Sequence, residues 1–149
     1  MCGGATLGAV PSTVPTELLG VWDVTRRIVD RPVGGGAPQF GRVVGTLTLR
    51  VDGDDVSWCE EGTLTWGGQD LPVRRRLVVR RDGDGWVVCF DDGRPFHPWS
   101  PGIPVVHHCP PDTYRGLVDV AADRSTLRVR WDVAGPGKDR RLLTRCLRR

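Results

Sequence analysis

Missing from this sequence is the material for a helix bundle or a membrane span. No stretch carries the three-to-four-residue apolar spacing of an amphipathic helix. No apolar run approaches the ~20 residues that a membrane-crossing helix needs. The opening residues, MCGGATLGAVPSTVPTELLG, have neither a positively charged region nor a continuous apolar core, so no secretory signal is expected. The five cysteines (Cys2, Cys59, Cys89, Cys109 and Cys146) are an odd number, widely spaced, without a C-x-x-C pair. Reduced thiols in the cytoplasm are the expectation. Tyrosine occurs once and phenylalanine three times, against six tryptophans. Indoles in that proportion suit a barrel interior or the wall of a ligand pocket.

Charge of one sign is lacking too. The 21 basic and 18 acidic residues are thoroughly mixed and leave a net charge of +3. Arg74-Arg75-Arg76 and Arg80-Arg81 alternate with valine and leucine, as on the solvated side of a sheet. A nucleic-acid reader would interleave its basic face with exposed aromatics. Neither nucleic acid nor membrane is expected as a partner; a small-molecule substrate or ligand is, and a homodimer stays open.

What the chain does have is period-two alternation broken by turn signals. At 149 residues it has the length of one domain. Residues 1–17, rich in Gly, Ala, Ser, Thr and Pro, read as a loose arm, and 18–149 as the folded unit. Strand-like segments follow one another as LLGVWDVTRRIVDR, FGRVVGTLTLRV, VSWCEEGTLTW, LPVRRRLVVRR, WVVCFDD, TYRGLVDVAA, TLRVRWDV and RRLLTRCLRR. Turns such as DGDD, GGQD, DGDG and AGPGKD join most of them, which argues for consecutive antiparallel hairpins. The expected fold is all-β, a closed up-and-down antiparallel β-barrel of about eight strands, since closure covers the edges.

Parity says what the barrel would hold. Trp131 shares a face with Leu127, Val129 and Val133. Trp22 shares one with Val24, Arg26 and Ile28; Trp58 with Val56 and Glu60; Arg75 with Leu71, Val73, Leu77 and Val79. Charges on apolar faces are costly unless paired. Arg26, Glu60 and Arg75 therefore imply an internal ion network, with Arg26, Arg75 or Arg145 as the partner of Glu60, or a polar lining to a tryptophan-walled pocket.

The stretch DGRPFHPWSPGIPVVHHCPPDTY, Asp92 to Tyr114, holds all three histidines and the single tyrosine. Its prolines forbid a helix between Arg94 and Val105 and imply an irregular crossing that caps one barrel end. Three chemistries compete there. A metal could use His107 and Cys109 with His97 or Asp112, although H-x-C lacks the usual ligand spacing. A cysteine nucleophile would need a supporting signature, and none is present. Acid–base catalysis asks only for a histidine, an orienting carboxylate and a group to hold developing charge. His107, Asp112, Tyr114, His97 and Arg94 supply those. The structural alternative is that the same residues merely tie the loop to the rim.

With these landmarks the chain resembles the bacterial DUF6314 family from about Leu19 to its C-terminus. The motifs are Trp22 with Arg26-Arg27 and Asp30, Glu60-Glu61-Gly62, Asp92-Gly93-Arg94-Pro95-Phe96-His97, His107-x-Cys109-x-x-Asp112-x-Tyr114-Arg115, Trp131 and Gly135-Pro136-x-Lys138-Asp139. The resemblance implies a calycin-like barrel and favours His107 over His108 as the family histidine. The sequence departs from the pattern at Arg140, where the family tends to have tyrosine. The function expected is a cofactor-independent enzyme acting on a small, largely apolar molecule by acid–base isomerisation, cyclisation or dehydration. Its catalytic candidates are His107, Asp112, Tyr114, His97 and Glu60. Its substrate-binding candidates are Trp22, Arg26, Trp58, Arg75, Arg94 and Trp131. The alternative is a binding barrel for a lipid-like ligand or haem, with His97 or His107 as axial ligand.

Overall fold

The computed structural model describes residues 13–149. Residues 1–12, most of the expected arm, lie outside the described residues. The arm's last residues are already part of the fold: Pro15–Leu18 form a 3-10 turn with Pro15 and Leu18 buried. Ten strands follow: β1 (Gly20–Asp30), β2 (Gln39–Asp52), β3 (Asp55–Trp66), β4 (Gln69–Asp82), β5 (Gly85–Phe90), β6 (Pro95–Pro98), β7 (Val105–Cys109), β8 (Asp112–Val120), β9 (Thr126–Gly135) and β10 (Lys138–Arg148). Every paired neighbour is antiparallel, and β1 pairs with both β2 and β10. The sheet order is β6-β5-β4-β3-β2-β1-β10-β9-β8-β7, a nearly closed barrel whose two edge strands meet at one seam.

The count is ten rather than eight because the proline-rich stretch, expected to be irregular, contributes β6 and β7. Both lie at the open edges of the sheet. Proline has no N–H to give a ladder, and an edge strand has one side that needs none. Pro95 and Pro98 are the first and last residues of β6, and Pro101 and Pro104 fall in the connection to β7.

No ladder bonds β6 to β7; aromatic rings fill the seam instead. Phe96 stacks on Phe90 (4.6 Å between centroids) and on Trp131 across the gap (4.9 Å). The His107 ring stands edge-on to Phe96 at 5.1 Å and to Phe90 at 5.6 Å. Gly116, opposite Trp131 in the β8–β9 register, leaves space for that indole, because a Cβ there would lie 2.5 Å from it.

Alternation sorts the side chains as the sequence implies, with Trp22, Trp58 and Trp131 all inside. The end nearest the 3-10 turn is sealed. The Trp22 indole N–H donates to the Leu18 carbonyl at 3.0 Å. The Arg148 guanidinium covers the Trp22 ring at 5.2 Å and donates to the Leu19 carbonyl at 2.8 Å. Leu18, Leu47, Val56, Val79 and Leu127 complete this dry plug. Truncating such a residue to alanine costs about 2–5 kcal/mol, so this end supplies stability and leaves the other end free to stay open.

At the other end, inward parity does not bring burial. Ile28, Leu64, Val73, Tyr114 and Leu142 point inward and remain half-exposed. An inward side chain that still meets solvent lines an open cup.

Candidate ligand site

The floor of that cup is an ion cluster. Glu60 lies directly opposite Arg75 in the β3–β4 register and is 7% exposed. Nη2 of Arg26 donates to both carboxylate oxygens, at 2.8 and 3.0 Å. Arg75 Nη2 donates to Oε1 at 3.3 Å, and the Trp58 indole N–H points at the same oxygen at 3.4 Å. Arg26 Nε donates to the buried Thr144 hydroxyl at 2.7 Å. Burial alone would raise the Glu60 pKa, but Arg75 and Arg26 outweigh it and hold the carboxyl below its ordinary value. Glu60 is thus a carboxylate already spoken for.

The cluster is not neutral. Two guanidinium groups share one carboxylate, and one positive charge is left over. Arg26 is mostly buried, whereas the inward-facing Arg75 side chain is 40% exposed, which turns the surplus charge toward the cup. Arg75 Nε lies 3.2 Å from Glu60 Oε2 but makes no hydrogen bond there. Gly45 and Gly62 face each other beside the cluster, where β2 and β3 approach so closely that a Cβ on either would strike the other strand's backbone. A cavity of about 60 Å³ lies between them and the three charged residues.

Below the aromatic stack, His97 is buried among Trp131, Trp58 and Arg75, beside a second cavity of about 20 Å³. Its Nδ1 is 2.8 Å from the Pro98 carbonyl. A carbonyl only accepts, so Nδ1 carries the proton and Nε2 keeps a free lone pair. Burial lowers the His97 pKa; the Pro98 contact opposes that, and the charges of His107 and Arg75 add to it. His97 is a neutral imidazole inside the barrel.

His107 and Tyr114 face one another across β7 and β8, with ring centroids 6.0 Å apart at the cup wall. Asp112 does not join them. It sits on Gly135 at the start of β8, two residues before Tyr114, and pairs with Lys138 at 3.2 Å. Arg94 is held outside by Asp92 at 2.6 Å and lies over the Phe90 face, a rim residue rather than a lining one. Trp22 belongs to the sealed end, remote from the cup. Cys109 is exposed at the end of β7, on the same strand face as His107 but at the solvent end of the hairpin. Among the described residues, no three His, Cys, Asp or Glu side chains converge as a ligand set for a metal.

Two contributors escape a reading by residue type. Thr144 is buried on the Cys146 face of β10 and holds Arg26 in place; its parity in RRLLTRCLRR is the signal that could have found it. Phe96 is the centre of the stack, hidden in the proline-rich stretch. Cys146, close to Glu60, has a thiol pushed up to about 12, by burial first and then by the Glu60 charge. It is an inert core group.

A family model described as "Family of unknown function (DUF6314)" matches residues 18–148. No curated protein matches the chain. No helix among the described residues is long and apolar enough to cross a membrane.

Proposed function

We propose, from the premise that the chain belongs to the DUF6314 family, that its open cup binds a small, largely apolar organic molecule carrying one anionic group. The observation that carries this reading is the surplus guanidinium charge at the bottom of a cup whose wall is largely apolar and aromatic, with the inward ion pair Asp30–Arg140 balanced within itself. A half-desolvated cation without a full counter-charge attracts an anion, and a carboxylate entering head-first would complete the cluster. The ring of Phe96, His107 and Tyr114 would receive the apolar body of the ligand. Few convergent polar groups in an apolar recess are the usual composition of such sites. Cys59, Cys89, Cys109 and Cys146 are all unpaired, which suits a reducing, cytoplasmic setting for this activity.

The test is a titration with aryl and alkyl carboxylates, read by the fluorescence of the indoles near the cup, Trp58 and Trp131. Saturable quenching that Arg75→Gln weakens tenfold or more supports the reading. Equal response to the matching neutral alcohols overturns it.

His97 favours a second reading, in which binding is followed by acid–base isomerisation, cyclisation or dehydration. Its neutral ring, with a lone pair on Nε2, is a base of the right kind beside Arg75. Because Asp112 is engaged by Lys138, the proton in this reading moves through His97 and not through a His107–Asp112 pair. His97→Gln would then keep ligand affinity and lose turnover.

A further inference from the structure

The barrel carries a second recess, on the outside of the sheet. It spans β1, β10, β9 and β8 and encloses about 580 Å³, within the usual size of small-molecule sites. The charged side chains that line it point outward, away from the Arg26–Glu60–Arg75 cluster inside the barrel.

Its construction is unusual for a solvated sheet face. Arg145 of β10 lies directly opposite Arg128 of β9. Like charges directly opposite one another destabilise a sheet. Neither arginine forms a salt bridge among the described residues, and nor does Arg27 on β1. Four lining guanidiniums, those of Arg27, Arg128, Arg130 and Arg145, face the carboxylates of Asp23 and Asp119. Asp23 is engaged by Arg149 at 3.0 Å, and Arg130 by Asp132 at 2.9 Å. Asp119 lies directly opposite Arg128 in the β8–β9 register, which leaves Arg145 and Arg27 without a carboxylate of their own.

Between these charges the floor is aliphatic. Leu143 lies between Arg27 and Arg130 in register, and Leu147 lies beside Asp23. Both leucines are exposed, at 43% and 41%. Leu117, opposite Arg130 on β8, extends the same apolar row. Arg145 and Arg27, both beside Leu143, suit an occupant with an anionic head and an aliphatic body.

We propose that this outer groove binds a free amphipathic anion, such as a medium-chain carboxylate, with its head at Arg145 and its chain over Leu143 toward Leu117. A nucleic acid fits less well, because leucines rather than stacking aromatics separate the arginines. A peptide strand would need a sheet edge for its backbone bonds, and this is a face.

The experiment uses decanoate as the probe and amide chemical-shift mapping as the readout, on the wild-type protein, Arg128→Thr/Arg145→Thr and Arg75→Gln. The expected result is saturable shifts at Leu117, Arg128, Leu143 and Arg145, unchanged in Arg75→Gln and weakened about tenfold or more in the double variant, as loss of charge-assisted hydrogen bonds predicts. Inorganic phosphate alone should bind far more weakly than decanoate. Shifts confined to the cup, decanol binding as well as decanoate, or a double variant that keeps full affinity would each overturn the proposal.

Discussion

Arg26 reaches over β2 from β1 and lays a single nitrogen, Nη2, between the two carboxylate oxygens of Glu60 on β3, at 2.8 and 3.0 Å. With Arg75 on the next strand, this contact sets the floor of the cup and its surplus positive charge. It also separates the closed, structural end of the barrel from the open one.

Replacing Glu60 by alanine strands both guanidiniums. Breaking one partner of a buried pair costs about 3–5 kcal/mol, and the partial exposure of Arg75 puts this case near the lower end. Urea denaturation of Glu60→Ala should show that loss with an unchanged slope. A midpoint equal to wild type would mean that the cluster contributes nothing to folding.

Acid should destabilise the protein in two stages. His97 has a lowered pKa in the fold, so below its ordinary value of 6.5 the unfolded chain binds a proton that the folded one refuses, and stability falls with pH. Glu60 is also lowered, so its contribution is complete above 4.5 and is lost as pH drops through the depressed folded value. His97→Asn should remove the first stage and Glu60→Gln the second. Melting curves from pH 7 to pH 3 would check this, and identical profiles in all three proteins would refute it.

The seam depends on Phe96. Phe96→Ala removes the ring that touches Phe90 on one side and Trp131 on the other, at a cost of roughly 3 kcal/mol. Since β6 and β7 share no ladder, the loss should be local first. Amide exchange should accelerate in β6 and β7 before it does in β1 or β2. Uniform acceleration would show that the stack is not what closes the barrel.

Thiol reactivity should follow burial and charge. Among the four described cysteines, Cys109 is exposed and Cys146 is held as a thiol up to about 12. Iodoacetamide at pH 8 should label Cys109 within minutes and Cys146 only after unfolding, as read by peptide mass spectrometry. Early labelling of Cys146 would contradict the packing described around Glu60.

Much of this was legible from alternation alone. A side-chain period of two is enough to send Trp22, Trp58 and Trp131 inside and to require a cation beside Glu60. Parity could not choose between Arg26, Arg75 and Arg145, because that depends on which strands become neighbours. Arg145 proved to face outward, opposite Arg128. The strands β6 and β7 were hidden by their own prolines, whose cost vanishes only at a sheet edge, and edges are a property of the closed fold. Asp112 looked like an orienting carboxylate for His107 because they are close in sequence. The β9–β10 turn brings Lys138 to it instead, an approach that no local pattern announces.

The reading of the cup as a site for an apolar anion is tested most directly by native mass spectrometry of the freshly purified protein, beside Arg75→Gln and Arg128→Thr/Arg145→Thr. The account predicts a retained small molecule of acidic character on the wild type and on the outer-groove variant, lost from Arg75→Gln while that variant stays folded. A wild-type spectrum with no bound mass even when aryl carboxylate is added, or an adduct that Arg75→Gln keeps in full, would contradict it.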